Sequence, residues 1–403
     1  MADAPQLVHP FFLLNDKFVG ENQLGLRYDG GEELIYIMGS NGIAPRMESK
    51  EMLRMEIVKK KFGEIDGRDV TAYTVKGNSG FELTCLDYGC IITEICVPDR
   101  DGKTENVVLG FKDIDDYANH SPYFGAVVGR VAGRIKEGRF SLGGRDYTLA
   151  KNNDGNHLHG GDRGLDKVIW NVETKTEHDK AKLIFTYESP DGEEGYPGNV
   201  SIRTVYTVTG QNELMIEYFG TTDQKTILNM TNHTYFNLSG DLKSTVLEHS
   251  LQIDSDRFIE LDNGLIPTGR LLEVEGTPFD FRKGRKIADG QSSSHPQNIL
   301  AGKGYDHPFV LNGDKQPAIR VSCEESGRVL EVETNQPAVV LYTSNQLEGD
   351  FLINGSVKAE PYLALCLETQ KHPDAINQPG FPSIVLEPDG EYYSYTKYTF
   401  KVE

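Results

Sequence analysis

From Phe62 onward the chain breaks into short runs of β-branched, aromatic and aliphatic residues, each cut off by glycine, proline, asparagine or aspartate. That rhythm constrains the fold more than any other feature. An amphipathic helix needs apolar residues at a period near 3.6 over about ten positions or more, whereas these runs alternate with a period of two and stop early. Val70-Thr-Ala-Tyr-Thr-Val75 and Phe81-Glu-Leu-Thr-Cys-Leu86 alternate on either side of Gly77-Asn-Ser-Gly80, a hairpin connection. Ile91 to Val97 runs into the turn Pro98-Asp-Arg-Asp-Gly102, and Gly143-Gly144 separates Arg139-Phe-Ser-Leu from Arg145-Asp-Tyr-Thr-Leu149. Val168 to Thr174, Lys182 to Glu188, Val200 to Val208 and Glu213 to Phe219 continue the series. Strands at this spacing predict an all-β chain built as a large antiparallel β-sandwich. Asp289 to Tyr305 reads as a long polar loop on it. No boundary or fixed-period repeat interrupts the pattern, so residues 56–403 are taken as one domain.

Residues 1–55 differ. Gly30-Gly31, Gly39-Ser-Asn-Gly42 and the methionines at 47, 52 and 55 show no sustained periodicity, which predicts an N-terminal extension that is poorly structured or loosely docked. The short Phe11-Phe-Leu-Leu14 patch lacks a basic stretch before it, so it does not read as a signal peptide. No apolar run approaches the roughly 18 residues of a membrane span. A net charge of -20 argues against nucleic-acid or anionic-membrane partners. Five cysteines without close pairing suggest reduced, buried thiols, and the chain is expected to be cytoplasmic.

Chemistry concentrates in a few stretches. Asn229-Met-Thr-Asn-His-Thr-Tyr-Phe-Asn-Leu238 alternates so that Met230, Phe236 and Leu238 share one face while Asn229, His233, Tyr235 and Asn237 share the other. A face that gathers an imidazole, a phenol and amides suggests a ligand-binding sheet with His233 as its titrating group. An ordinary hydrogen-bonded histidine fits equally well at this point. In Leu363-Ala-Leu-Cys-Leu-Glu-Thr-Gln370 the leucines fall on one side and Glu368 on the other with Ala364 and Cys366. A carboxylate on a small, partly apolar face is desolvated, which raises its pKa and makes it a better base near neutral pH.

Gly125-Ala-Val-Val-Gly-Arg-Val-Ala-Gly-Arg-Ile135 lacks the Gly-Lys-Ser/Thr ending of a phosphate loop. It reads better as close-packed backbone with Arg130 or Arg134 directed into a polar cleft, or as an arginine in a buried ion pair. Asn156-His-Leu-His-Gly-Gly161 puts His157 and His159 two apart, on one face of a strand, without an evident third metal ligand. Ser189-Pro-Asp-Gly-Glu-Glu-Gly-Tyr-Pro-Gly198 is a turn-dense loop, either solvated or the wall of a small polar site. Asp306, in Gly304-Tyr-Asp-His-Pro-Phe309, either accepts hydrogen bonds from hydroxyls or caps a turn. Together these groups suit proton transfer on a polyhydroxylated small molecule. They also suit a carbohydrate-binding module that performs no chemistry.

Gly-Arg-Val-Ala-Gly-Arg-Ile, Leu-His-Gly-Gly, the Ser-Pro-Asp-Gly-Glu-Glu-Gly-Tyr-Pro-Gly loop, Thr-Asn-His-Thr-Tyr-Phe-Asn-Leu, Gly-Tyr-Asp-His and Leu-Glu-Thr-Gln follow one another in an order that resembles the galactose mutarotase (aldose 1-epimerase) family over about residues 62 to 403. The resemblance implies the supersandwich form of the β-sandwich and an isomerase that interconverts the anomers of galactose and glucose, within hexose metabolism. It implies Glu368 as general base and His233 as general acid, with Arg134, His159 and Asp306 binding the sugar and Tyr235 as a further contact. It implies an aldohexose as the partner, neither metal nor nucleotide as cofactor, and a monomer or weak homodimer. Two positions depart from the pattern. Many members carry Asn where this chain has Gly133, and some carry Gln where it has Val340; both bear on sugar preference. An epimerase of hexose 6-phosphates is the nearest alternative and would need a basic cluster at the cleft mouth, for which Arg130, Arg134 and Arg163 are the candidates.

Overall fold

The computed structural model describes residues 55–403 except 78 and 178, together with strands Gln23–Asp29, Glu32–Gly39 and Gly42–Pro45. The chain divides into two compact units, Met1–Arg54 and Met55–Glu403. Within the first, the three strands pair in chain order as an antiparallel sheet. Phe11 to Leu14 and the methionines at 47 and 52 lie outside the described residues.

The second unit is built from three large antiparallel sheets. Five strands follow one another as a meander: Glu56–Ile65, Arg68–Lys76, Glu82–Leu86, Ile92–Pro98 and Thr104–Asn106. A nine-stranded sheet joins Asn171–Glu177, Lys180–Ser189, Val200–Thr209 and Glu213–Thr222 to the C-terminal strand Tyr392–Val402. It continues through Arg328–Thr334, Ile319–Ser322, Ser250–Ile253 and Arg285–Lys286. A six-stranded sheet runs Tyr235–Phe236, Leu365–Gln370, Ala338–Tyr342, Asp306–Val310, Arg257–Leu261 and Pro267–Glu273. The predicted β-sandwich is therefore what forms.

Alternation explains how the sheets close on one another. In Lys180–Ser189 the residues Ala181, Leu183 and Phe185 point inward, and in Glu213–Thr222 Leu214, Ile216 and Tyr218 do the same. They meet Val75 and Leu83 of the five-stranded sheet and Leu341, Leu365 and Leu367 of the six-stranded sheet in one continuous apolar core. A second cluster, including Tyr235, Ala364 and Cys366, covers the other face of the six-stranded sheet. The hairpin Arg139–Leu142 to Arg145–Thr148 turns at Gly143 and Gly144, whose φ angles of 61° and 77° are those of a two-residue hairpin turn that other L-residues resist.

Two expectations change. Asp289 to Tyr305 contains the short helices Ala288–Gln291 and Pro296–Leu300 rather than loop alone. Proline at the first position of the second helix costs no backbone hydrogen bond there, and the His295 ring nitrogen accepts from the Gln297 N–H. Asn229 to Leu238 is not one strand with a dry and a wet face. Only Thr231–Asn232 and Tyr235–Phe236 are extended, the first paired with Val127–Val128 and the second with the six-stranded sheet, and every residue of the stretch is buried. Its amides satisfy neighbouring loop backbone. Asn229 exchanges hydrogen bonds with the backbone of Lys371, Asn232 donates to the Gly125 carbonyl, and Asn237 donates to the carbonyls of Ser244 and Leu363. The five cysteines are unpaired. Among the described residues no helix is long and apolar enough to cross a membrane.

Candidate active site

Register in the six-stranded sheet assembles half of the site. Tyr235 lies opposite Cys366, Cys366 opposite Tyr342, and Tyr342 opposite Asp306. These four share one sheet face as a cross-strand row. Glu368, two residues beyond Cys366, is on the same face, and its cross-strand neighbour is Val340. The other half comes from irregular backbone. His233 is fixed between its two short strands by its N–H donating to the Ala126 carbonyl and its carbonyl accepting from the Gly125 N–H. Arg134 starts the strand that pairs with His157–Leu158, and His159 follows directly with φ 49°.

The structure brings all six of the predicted residues together. His233 Nε2 is 3.5 Å from Glu368 Oε1, with both side chains almost completely buried. The His159 and His233 rings meet edge to face with centroids 5.1 Å apart. Arg134 Nη1 is 3.6 Å from Asp306 Oδ2, and its Nε donates to Asn153 Oδ1 at 2.9 Å. Tyr235 packs against His233 with centroids 5.1 Å apart, but its hydroxyl donates to the Pro122 carbonyl, so it supports the imidazole with its ring.

Burial sets the electrostatics. It pushes the Glu368 carboxyl up to about 8; Asp306 adds to the rise and Arg134 opposes it. Burial likewise holds the His233 imidazole down, to about 4. Burial, His233 and Arg134 keep His159 neutral, well below the usual imidazole range. Between about 4 and about 8 the His233–Glu368 pair therefore holds one transferable proton.

His159, His233 and Glu368 each present a ligand atom, all within 4.8 Å of one another, a spacing that invites a metal reading. The tautomer speaks against it. The Gly133 N–H donates to His159 Nδ1 at 3.2 Å, which leaves the ring proton on Nε2 and makes that nitrogen a donor rather than a lone-pair ligand. A fixed ring N–H donor suits a hydroxyl oxygen.

Other predicted groups serve structure. Arg130 is buried: it donates to Ser189 Oγ and to the carbonyls of Ser189, Pro190, Pro197 and Gly198, shaping the turn-dense loop. The acids of that loop are engaged locally, Glu193 by Tyr187 and Ser189, and Glu194 by the N–H groups of Asp162 and Arg163. His157 and His159 do not share a strand face, since the strand ends at Leu158; His157 bonds the Tyr196 hydroxyl and the Ala150 carbonyl. Arg163 is exposed and pairs with Asp66.

Sequence reasoning missed Tyr123 and Asn153. Tyr123 has φ 67°, and its ring lies 4.8 Å from His159 and 5.8 Å from His233. A tyrosine gives no sign in sequence of a left-handed backbone, a conformation that clusters at functional sites. Gly133 is also left-handed, with φ 76°, and a Cβ there would sit 2.9 Å from Pro373 Cβ. A side chain at this position requires the Pro373 loop to move.

Comparison with known proteins shows the family. The family model for aldose 1-epimerase matches residues 71–399. Galactose mutarotase of Bos taurus is 43% identical over 319 residues, covering 79% of this chain and 90% of its own. That of Homo sapiens is 40% identical over 344 residues, covering 85% and 97%. The crystal structure of a galactose 1-epimerase from Lactobacillus acidophilus superimposes with a TM-score of 0.77 at 30% identity, covering 86% of this chain and 99% of that one. The chain belongs to the aldose 1-epimerase family and is an isomerase.

Proposed function

We propose that this isomerase interconverts the α and β anomers of galactose and glucose by acid–base opening and reclosure of the pyranose ring, in the service of hexose metabolism. One observation carries the reading: two buried titratable groups, His233 Nε2 and Glu368 Oε1, stand 3.5 Å apart, with burial lowering the imidazole and raising the carboxyl. The two oxygens that must exchange protons, the anomeric hydroxyl and the ring oxygen, are both bonded to C1, so the reaction needs its acid and base this close together.

In the productive state Glu368 is ionised and His233 is protonated, one proton shift from the neutral pair. Glu368 takes the proton of the anomeric hydroxyl as His233 gives its own to the ring oxygen. The C1–O5 bond breaks and leaves the open-chain aldehyde. Rotation about C1–C2 presents the other face of the carbonyl. The O5 hydroxyl then returns its proton to His233 while Glu368 reprotonates the former carbonyl oxygen and the C1–O5 bond re-forms. Atoms and charges balance, and the enzyme ends as it began. Each positioned group supplies about 10²–10⁴-fold. His159, as a fixed Nε2–H donor, and the Arg134–Asp306 pair hold the sugar hydroxyls. Tyr235 keeps the imidazole in place.

Of the three arginines that a sugar phosphate would call on, Arg130 is tied to loop carbonyls, Arg163 pairs with Asp66 at the surface, and Arg134 faces Asp306. A neutral aldohexose fits this distribution better. The optical rotation of fresh α-D-galactose and α-D-glucose at neutral pH tests the reading. The expected result is fast equilibration that His233→Gln loses by about a hundredfold or more. Equilibration no faster than buffer for both sugars, with catalysis on hexose 6-phosphates or with binding alone, would overturn it.

A further inference from the structure

The two histidines of the site differ in what stands behind them. His159 Nδ1 faces a backbone N–H, Gly133, which can only donate. His233 Nδ1 faces Cys366 Sγ at 3.6 Å, and both residues are fully enclosed. A thiol is a weak donor and a weak acceptor, so it tolerates Nδ1 with or without a proton. The histidine with the one-way partner is locked as a neutral donor; the one with the reversible partner is free to cycle.

We infer that Cys366 is a positioning residue for the acid–base step: its sulfur accepts a weak hydrogen bond from His233 Nδ1–H, holding the tautomer in which Nε2 is the nitrogen that exchanges a proton with substrate. Nε2 is the ring nitrogen that meets Glu368 Oε1, at 3.5 Å. When the imidazolium gives up its Nε2 proton, the Nδ1–H and its contact to sulfur persist, so the ring need not flip or shift its tautomer between the opening and closing half-reactions. A weak acceptor also suits the task electrostatically. A carboxylate behind Nδ1 would stabilise the imidazolium and make it a poorer acid toward a ring ether oxygen, whereas a neutral thiol barely does so. Burial pushes the Cys366 thiol well above its usual range, so it stays uncharged. The charged and titratable groups facing His233 are otherwise Glu368, His159, Tyr123 and Tyr235, with Arg134 and Asp306 beyond them. Position in the fold secures the pairing, because Cys366 shares its sheet face with Glu368 and lies across from Tyr235.

The role rests on the acid–base reading above, and two readouts separate their failures. Nitrogen-15 chemical shifts of the His233 ring report the tautomer without any turnover. In wild type at pH 7 they should show a proton on Nδ1; in Cys366→Ala the two tautomers should become mixed, and Cys366→Ser should restore the wild-type pattern. In the rotation assay Cys366→Ala should lose about tenfold in kcat with KM unchanged and its kcat–pH profile displaced, and Cys366→Ser should recover most of the rate. A wild-type His233 protonated on Nε2 alone overturns the proposal, as does a Cys366→Ala enzyme whose kcat and pH profile match wild type. An Nδ1–H signal that depends on Cys366 in a protein without anomerase activity sinks the catalytic role together with the acid–base reading, yet keeps the tautomer assignment.

Discussion

Glu105 and Glu368 are both buried carboxylates, and they are treated in opposite ways. Burial pushes Glu105 up, but Lys103 and Lys243, each at 2.6 Å, and Arg328 at 3.0 Å overcome it and bring the carboxyl down to about 2. Arg328 is itself enclosed and donates to the carbonyls of Val97, Ser239 and Lys103. This cluster ties the five-stranded sheet to the Asn237–Lys243 loop and to the C-terminal half of the chain. Among the described residues no lysine or arginine is ion-paired with Glu368; Arg134 only opposes the rise, the paired group is His233, and burial carries the carboxyl up to about 8. A buried charge that is fully paired contributes to structure and cannot exchange protons near neutral pH. One left unpaired destabilises the fold and is available for proton transfer.

The sharpest way to break this comparison is to neutralise each carboxylate in turn. Glu368→Gln and His233→Gln should each reduce kcat by about 10²–10⁴-fold. Glu105→Ala should instead cost about 3–5 kcal/mol of stability, read from denaturant unfolding, because buried Arg328 keeps only the more distant Asp99, at 3.9 Å, as counter-charge. Its activity per folded molecule should be unchanged.

A second pair of residues sharpens the contrast. Arg130→Ala strands several buried carbonyls and should cost about 2–4 kcal/mol of stability, with a Trp170 fluorescence transition shifted to lower denaturant. Arg134→Ala should leave the unfolding midpoint nearly unchanged and lower kcat/KM by about tenfold or more, mainly through KM. If the two substitutions exchange these signatures, the division into a structural and a substrate-facing arginine is wrong.

The pH dependence follows from the pair. Below about 4 both His233 and Glu368 hold protons and no base is left; above about 8 neither does and no acid is left. The profile of kcat/KM should therefore be a bell with limbs at these values. Stability has its own windows. The Glu368 carboxyl is raised from 4.5, so the folded chain keeps a proton that the unfolded chain releases, and its contribution falls as pH rises from 4.5 toward about 8. His233 is lowered from 6.5, so its contribution is lost as pH falls from 6.5 through about 4.

Much of this was legible in the sequence, and the reason lies in period-two alternation. Leu365, Leu367 and Glu368 sort to opposite faces from spacing alone, and strands such as Arg68–Lys76 and Glu213–Thr222 announce themselves the same way. What stayed hidden depended on contacts distant in sequence. Arg130 and Arg134 are four residues apart in one glycine-rich run, and only the approach of the Ser189–Gly198 loop to the first and of Asp306 to the second separates their roles. The amides of Asn229 to Asn237 looked like a wet binding face because nothing local shows that neighbouring loops would cover them. Tyr123 and Cys366 carry no motif; one is placed by an unusual φ and the other by its contact with His233 Nδ1.

The most direct test measures two properties of one variant, Glu368→Gln at pH 7: its unfolding free energy and its rate of galactose mutarotation. An unpaired carboxyl held for chemistry predicts near-complete loss of the rate together with a fold at least as stable as wild type, by a margin on the order of 1–3 kcal/mol. A variant that keeps its rate per folded molecule while losing several kcal/mol of stability would show that Glu368, like Glu105, is a structural charge.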